Sequence, residues 1–179
     1  MAQITEDLVW SSTVSSTGVS NWERTVASND SKASFAALSG TTITFELTNL
    51  THNPKSIVSV QQICEVNAQE SQTVVVQNEI LNGSNTQLYT QNLGWSNTSD
   101  NVQSGTVRTT SNGSAAWTKN DIDTMRIKCT WLAETGTVTT VLVDHYYVRV
   151  IYNAGNKISL NSGAIKLTNG KIQITEPTI

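Results

Sequence analysis

WTKNDIDTMRIKCTWLAETGTVTTVLVDHYYVRVIY, Trp117 to Tyr152, is the stretch whose reading decides the fold class. Read with a period of two, Met125, Ile127, Cys129 and Trp131 fall on one face of an extended chain, with Arg126, Lys128 and Thr130 on the other. After a turn signal at Glu134, Thr135 and Gly136, Leu142, Tyr146, Val148, Val150 and Tyr152 share a face, and His145, Tyr147 and Arg149 oppose them. Two half-buried strands about a turn predict one hydrophobic wall of an antiparallel β-sandwich. Just ahead of them, Thr118 and Asp121 stand at capping-box spacing between Trp117 and Ile122, which predicts one helical turn over Lys119 to Asp123. Asp121 and Asp123 then lie near the positive helix end, a structural reason for both carboxylates.

Moving outward, more strands follow by the same alternation. Ile57 to Val66 places Val58, Val60, Cys64 and Val66 on one face; Gln62 interrupts it, either as a strand end or as a buried amide in need of a partner. Thr41 to Leu50 turns Ile43, Phe45 and Leu47 inward, and Gln72 to Leu81 centres on Val74 and Val76. Between the first two, Thr51 to Pro54 reads as a turn, with Pro54 excluded from a central strand. From Gly83 to Ala116 the pattern weakens into polar residues, with short strand candidates at Gln87 to Tyr89 and Gly105 to Thr109 and Trp95 between them. Residues 1 to 40 carry Trp10, Trp22 and Phe35 through Ser/Thr-rich sequence, either as an anchoring arm or as an ordinary first strand pair.

The tail repeats. KISLNSG, AIKLTNG and KIQITEP share a seven-residue period, each with an aliphatic pair: Ile158 with Leu160, Ile165 with Leu167, Ile172 with Ile174. Ser162-Gly163 and Asn169-Gly170 are two-residue turn signals, so a three-stranded meander is expected. Such a meander must pack on something, its own domain or the same tail in sister subunits. The chain thus divides into an arm with first strands (1–40), a sandwich core (41–153) and a strand-repeat tail (154–179).

Composition narrows the function. Net charge is −3 over 179 residues and Ser, Thr and Asn make up roughly a third of the chain, so neither a nucleic-acid footprint nor a polybasic membrane patch is present. MAQITEDLVW lacks the basic and apolar regions of a signal peptide, and no segment approaches the roughly 18 apolar residues of a membrane span. With no secretory signal, the sequons at Asn49, Asn82, Asn97 and Asn112 read as chance. Cys64 and Cys129 read as buried free thiols or as a disulfide, and two thiols with two distant histidines show no zinc spacing.

No catalytic constellation emerges. Asp144 and His145 are adjacent in a strand and point to opposite faces, so they form no direct Asp–His relay. Asp144 falls on the apolar face and is expected to be structural; His52 falls in a turn beside Asn53-Pro54. Serines lack a nucleophile elbow, carboxylates lack a glycosidase pair, and phosphate cradles and calcium loops are missing. Trp95 and Tyr147 could stack on a sugar ring or pack at a subunit contact. The expectation is a protein without enzyme activity or cofactor.

Four patches carry a family likeness: Asn21-Trp22 with Asn29-Asp30 and Ala33 to Ala37; NPKSIVSVQQICEV; WTKNDID with its following strand; and VLVDHYYVRVIYN. In their order they resemble jelly-roll β-sandwich proteins of tailed bacteriophages, across about residues 20 to 153. The resemblance implies a virion part, made in the host cytoplasm and assembled into the particle, with no catalytic residues to carry over. The expected role is capsid decoration (cement) or a head fibre acting as a homotrimer on the major capsid protein or other virion proteins. Its contacts would come from Trp10, Trp22, Trp95, Ile158, Leu160, Ile165, Leu167, Ile172 and Ile174. The alternative is a tail-fibre or spike adhesin, or a tail adaptor, that binds host surface glycan.

Overall fold

The computed structural model describes residues 2–27, 32–36, 41–67, 74–95, 101–111, 114–134, 140–155, 164–168 and 171–175. The strands begin with β1 (Gln3–Thr17), β2 (Val19–Ser20), β3 (Ala33–Ala36), β4 (Thr42–Leu47), β5 (Pro54–Asn67) and β6 (Val74–Leu81). They continue with β7 (Gln87–Trp95), β8 (Asn101–Ser104), β9 (Thr110–Ser111) and β10 (Ala115–Ala116). After helix α1 (Lys119–Asp123) come β11 (Arg126–Glu134), β12 (Thr140–Ala154), β13 (Ala164–Thr168) and β14 (Lys171–Thr175).

Among the described residues all pairings are antiparallel, and the long strands build the two sheets of a jelly-roll-like sandwich, with β9 and β10 paired apart from them. The first is centred on β12, flanked along its length by β5 and on its other side by β1 and β3; β8 extends it beyond β5 and β2 beyond β3. The second runs β1, β4, β11, β6, β7. Strand β1 belongs to both. Gln3 to Val9 pairs with β12, a register shift falls between Trp10 and Ser12, and the rest pairs with β4. A bulge of this kind bends a strand from one sheet into the next. The N-terminal segment is therefore an integral strand, not a free arm.

The inner faces meet over an apolar core. Met125, Ile127, Cys129 and Trp131 of β11 and the adjoining loop are all buried, as the period-two reading requires. The helical turn is also as read: Thr118 Oγ1 accepts from Asp121 N–H at 3.1 Å and Asp121 Oδ2 from Thr118 N–H at 2.8 Å, a reciprocal capping box. Bulges upset two other phase readings. In β12, Val143 pairs Val66 and His145 pairs Glu65, so Asp144 is the extra residue, and Val141 and Val143 are buried in place of Leu142. In β5, a shift beside Tyr152 buries Ile57 in place of Val58.

Other corrections concern strand ends. Pro54 is not in the turn but opens β5 opposite Ala154, a first-residue position that proline tolerates. The candidate at Gly105 to Thr109 is a loop with a single bridge, Arg108 to Val60, while the strand there is β8. Trp95 does not stand in a loop: its backbone ends β7 opposite Val74. The turn at Thr135-Gly136 lies outside the described residues.

Gln62 is the buried amide. Its Nε2 donates to Tyr146 Oη at 3.1 Å, and Tyr146 donates to Asn78 Oδ1 at 3.0 Å on the opposite sheet. The same Asn78 oxygen accepts from Cys129 Sγ at 3.1 Å, while Asn78 Nδ2 donates to Val76 O. Toward the edge, Gln91 Nε2 donates to Gln62 Oε1, and Thr106 N–H donates to Gln91 Oε1 at 2.8 Å. Arg108 lies 3.5 Å over the Tyr89 ring. These contacts close the side of the sandwich where β7 and β8 share no strand pairing, opposite the side closed by β1. Gln62, Asn78 and the Tyr146 hydroxyl thereby each keep a partner, the condition for carrying polar groups in a core.

Cys64 and Cys129 are free and buried. Burial pushes both thiols above the ordinary range, well above it for Cys129. Beyond the sandwich, β13 and β14 pair as a hairpin of their own, Ile165 opposite Ile174 and Leu167 opposite Ile172. Two of the three repeat units therefore form strands; Ile158 and Leu160 of the first lie outside the described residues. Among the described residues, no helix is long and apolar enough to cross a membrane.

Candidate functional site

Trp22 lies in the core, not at a contact surface. It is 3% exposed, in a one-turn 3₁₀ segment (Trp22–Thr25) beneath the sandwich, with its ring centroid 5.1 Å from Phe45 and 5.9 Å from Tyr146. The indole is the largest apolar surface in its segment and fills its own domain, which removes it as a partner contact. Trp10 sits where β1 changes sheet, half-buried against the core with Nε1 donating to Thr13 Oγ1 at 3.2 Å. It keeps an exposed flank. The four tail aliphatics of the hairpin occupy directly paired register positions, Ile165 with Ile174 and Leu167 with Ile172.

The outer face of the first sheet carries a row along β12. His145, Tyr147 and Arg149 alternate outward, the His145 and Tyr147 rings 4.6 Å apart and tilted, with the Arg149 guanidinium 5.4 Å from the Tyr147 centroid. Asp7 of β1, opposite Arg149, takes a bidentate pair from its Nε and an Nη at 2.8 and 2.9 Å. That fork keeps the Arg149 guanidinium extended beside the aromatic face and raises its pKa. His145 is half-buried and burial lowers its pKa, against the pull of Glu65, Asp144 and Asp7. Asp144, the extra residue of the bulge, is 2% exposed, while His145 beside it is half-buried.

A second arrangement was invisible in the sequence. At the end of the sandwich where β1 starts and β12 finishes, a half-open cavity of about 610 Å³ is lined by Ile4, Leu50, Thr51, His52, Asn53, Lys119, Ala154 and Gly155. Glu6 organises it. Its Oε1 accepts from Thr51 N–H at 2.9 Å and its Oε2 from the Tyr152 hydroxyl at 3.0 Å. Tyr152 Oη is 3.3 Å from His52 Nδ1, and Thr51 Oγ1 is 2.7 Å from the same nitrogen. Lys119 pairs with Asp123, whose Oδ1 also accepts from Leu50 N–H at 3.2 Å. Burial and the Glu6 carboxylate push the Tyr152 phenol up to about 12. Nothing in the spacing of Glu6, His52 and Tyr152 announces this cluster, because only the pairing of β1 with β12 brings residues from both chain ends together.

A neighbouring cavity of about 630 Å³ around Asn49, Asp123 and Arg126 adds little chemistry, since Arg126 is already bonded to Glu46 and Asn85. Among the described residues, no group of His, Cys, Asp and Glu has metal-binding geometry.

No protein-family model matches the chain, and no curated protein does. Among solved structures, a chain described as truncated AlyQ with CBM32 and alginate lyase domains aligns over 87% of this chain at a TM-score of 0.48 and 17% identity. This chain spans 35% of that neighbour's length, and a likeness of that size says nothing about ligand or activity.

Proposed function

We propose that the protein is a non-enzymatic structural component of a tailed-bacteriophage particle, a capsid decoration or head-fibre protein that works as a homotrimer. The observation that carries this reading is the tail hairpin, a separate two-stranded sheet with Ile165 opposite Ile174 and Leu167 opposite Ile172. A two-stranded sheet is marginal alone and gains stability by covering its apolar face. Sister copies and the capsid surface would supply that cover, and the assembled state would gain stability by mass action. The resemblance of the sandwich patches to phage virion proteins supports the same setting.

The test is removal of residues 156–179. The truncated chain should remain folded, lose its oligomeric state in sedimentation, and fail to be retained on particles. Particles lacking the protein should lose heat resistance. An oligomer that survives truncation, or particles equally heat-resistant without the protein, would overturn this reading.

A second reading, a tail-fibre or adaptor module that binds host glycan, is favoured by the outward His145–Tyr147–Arg149 row. An aromatic face flanked by a fixed guanidinium suits the C–H face and hydroxyls of a sugar. Glycan-array binding lost on Tyr147→Ala, or on Trp95→Ala, would support it; an empty array would reject it.

A further inference from the structure

The hydrogen-bond order in the end cavity fixes more than shape. Glu6 is a carboxylate and can only accept, so the one proton of the Tyr152 hydroxyl is committed to Glu6 Oε2. Tyr152 Oη then has only lone pairs to offer His52, and a favourable contact at 3.3 Å requires the proton on His52 Nδ1. Thr51 Oγ1, 2.7 Å away, can share that proton. The elevated pKa of Tyr152, about 12, keeps the phenol protonated throughout. In the Nδ1–H tautomer that the Tyr152 contact calls for, Nε2 on the opposite edge of the ring keeps a lone pair, and His52 is one of the residues lining the cavity.

From this we infer that the cavity binds one unit of a neutral, hydroxyl-rich ligand, a sugar residue of a glycan. His52 Nε2 accepts a ligand hydroxyl; the Asn53 amide and the Lys119 ammonium donate; Leu50, Ile4 and Ala154 form an apolar floor for the ligand's C–H face. A hydroxyl both donates and accepts, so adjacent hydroxyls on one ring can meet an acceptor and a donor together. Charge points to a neutral ligand. Lys119 is already paired with Asp123, and both Glu6 oxygens are engaged by Thr51 and Tyr152, so no ion is left over to recognise a charged group. The volume, about 610 Å³, falls within the roughly 300–1,000 Å³ of small-molecule sites. This inference deepens the glycan reading and is independent of the particle reading; its site is separate from the outward row on β12.

The test is an amide ¹H–¹⁵N titration of the full chain with methyl glycosides of neutral hexoses and N-acetylhexosamines, alongside a uronic acid and inorganic phosphate. Neutral sugars should shift Thr51, His52, Asn53 and Lys119, and the imidazole ¹⁵N spectrum of His52 should show the Nδ1–H form. His52→Ala and Tyr152→Phe should each weaken binding about 3- to 10-fold, the equivalent of one neutral hydrogen bond. Val102→Ser, exposed on β8 and in neither site, should leave these shifts unchanged, and amide spectra of each variant check its fold. Shifts confined to the β12 row and abolished by Tyr147→Ala would overturn the cavity and leave the glycan reading standing. Preference for the uronic acid or phosphate would overturn the neutral ligand, and an Nε2–H imidazole would overturn the relay. No shift with any sugar would sink both.

Discussion

Tyr146 Oη donates to Asn78 Oδ1 across 3.0 Å and accepts from Gln62 Nε2 at 3.1 Å, so a single hydroxyl joins β12, β5 and β6 inside the core. Tyr146→Phe keeps the ring against Phe45 and Trp22 but strands the Gln62 donor. Leaving a buried polar group unpaired costs about 1–3 kcal/mol. Urea unfolding should show a loss of that size. A variant as stable as the parent would mean the network is slack.

The two early tryptophans should separate cleanly. Trp22→Ala opens a cavity in the packed aromatic cluster and should destabilise the fold by about 3–5 kcal/mol. Trp10→Ala, half-exposed at the strand corner, should cost much less in stability; any larger effect should appear in sedimentation or particle retention. Equal unfolding midpoints for the two variants would contradict the placement of Trp22.

Alkali should unfold the protein through its buried acids. Burial raises Cys64, Cys129, Tyr146 and Tyr152 above ordinary thiol and phenol values of 9.0 and 10.0. The unfolded chain gives up those protons first, so it binds fewer protons than the folded chain at high pH. Stability is then complete below pH 9.0 and falls as pH rises past it. Denaturation midpoints measured across that range check the slope, and Cys64→Ala with Cys129→Ala should reduce it. A flat profile would contradict the burial.

On the acid side, His145 has the opposite sign. Its pKa is depressed from 6.5, chiefly by burial, so the unfolded chain takes up a proton before the folded one. Its contribution is intact above pH 6.5 and declines as pH falls below it. The charges of Glu65, Asp144 and Asp7 act on the ring and limit the depression. His145→Gln should flatten this part of the pH profile without moving the alkaline limb.

Thr118→Ala removes one half of the capping box on α1. The expected loss is about 0.5–2 kcal/mol, with Thr118→Ser close to the parent. Thermal unfolding distinguishes them; an unchanged Thr118→Ala would show that Trp117 and Ile122 hold the turn without the cap.

The fold was legible wherever periodicity was unbroken. Met125 to Trp131 and the Thr118–Asp121 cap could be placed from spacing alone, because alternation and capping are local rules. Reading failed where one residue was inserted. The bulge at Asp144 moved Val141 and Val143 inward in place of Leu142, and no local signal distinguishes a bulge from a regular step. Trp22 misled for a related reason: a large ring in a polar stretch is equally consistent with an outside pocket and an inside one. The end cavity could not be seen at all. Glu6, His52 and Tyr152 become neighbours only through the pairing of the two chain ends, which is a property of topology.

That topology also orders events on the ribosome. The segment Gln3 to Val9 is synthesised long before its partners, Tyr147 to Asn153. The following half of β1 can meet β4 early, so one strand waits with half its edge filled and half bare. A nascent chain halted before Tyr147 would expose that bare edge to other chains, a route to aggregation for incomplete products. The arrival of β12, not the first collapse of the core, is what seals this sandwich.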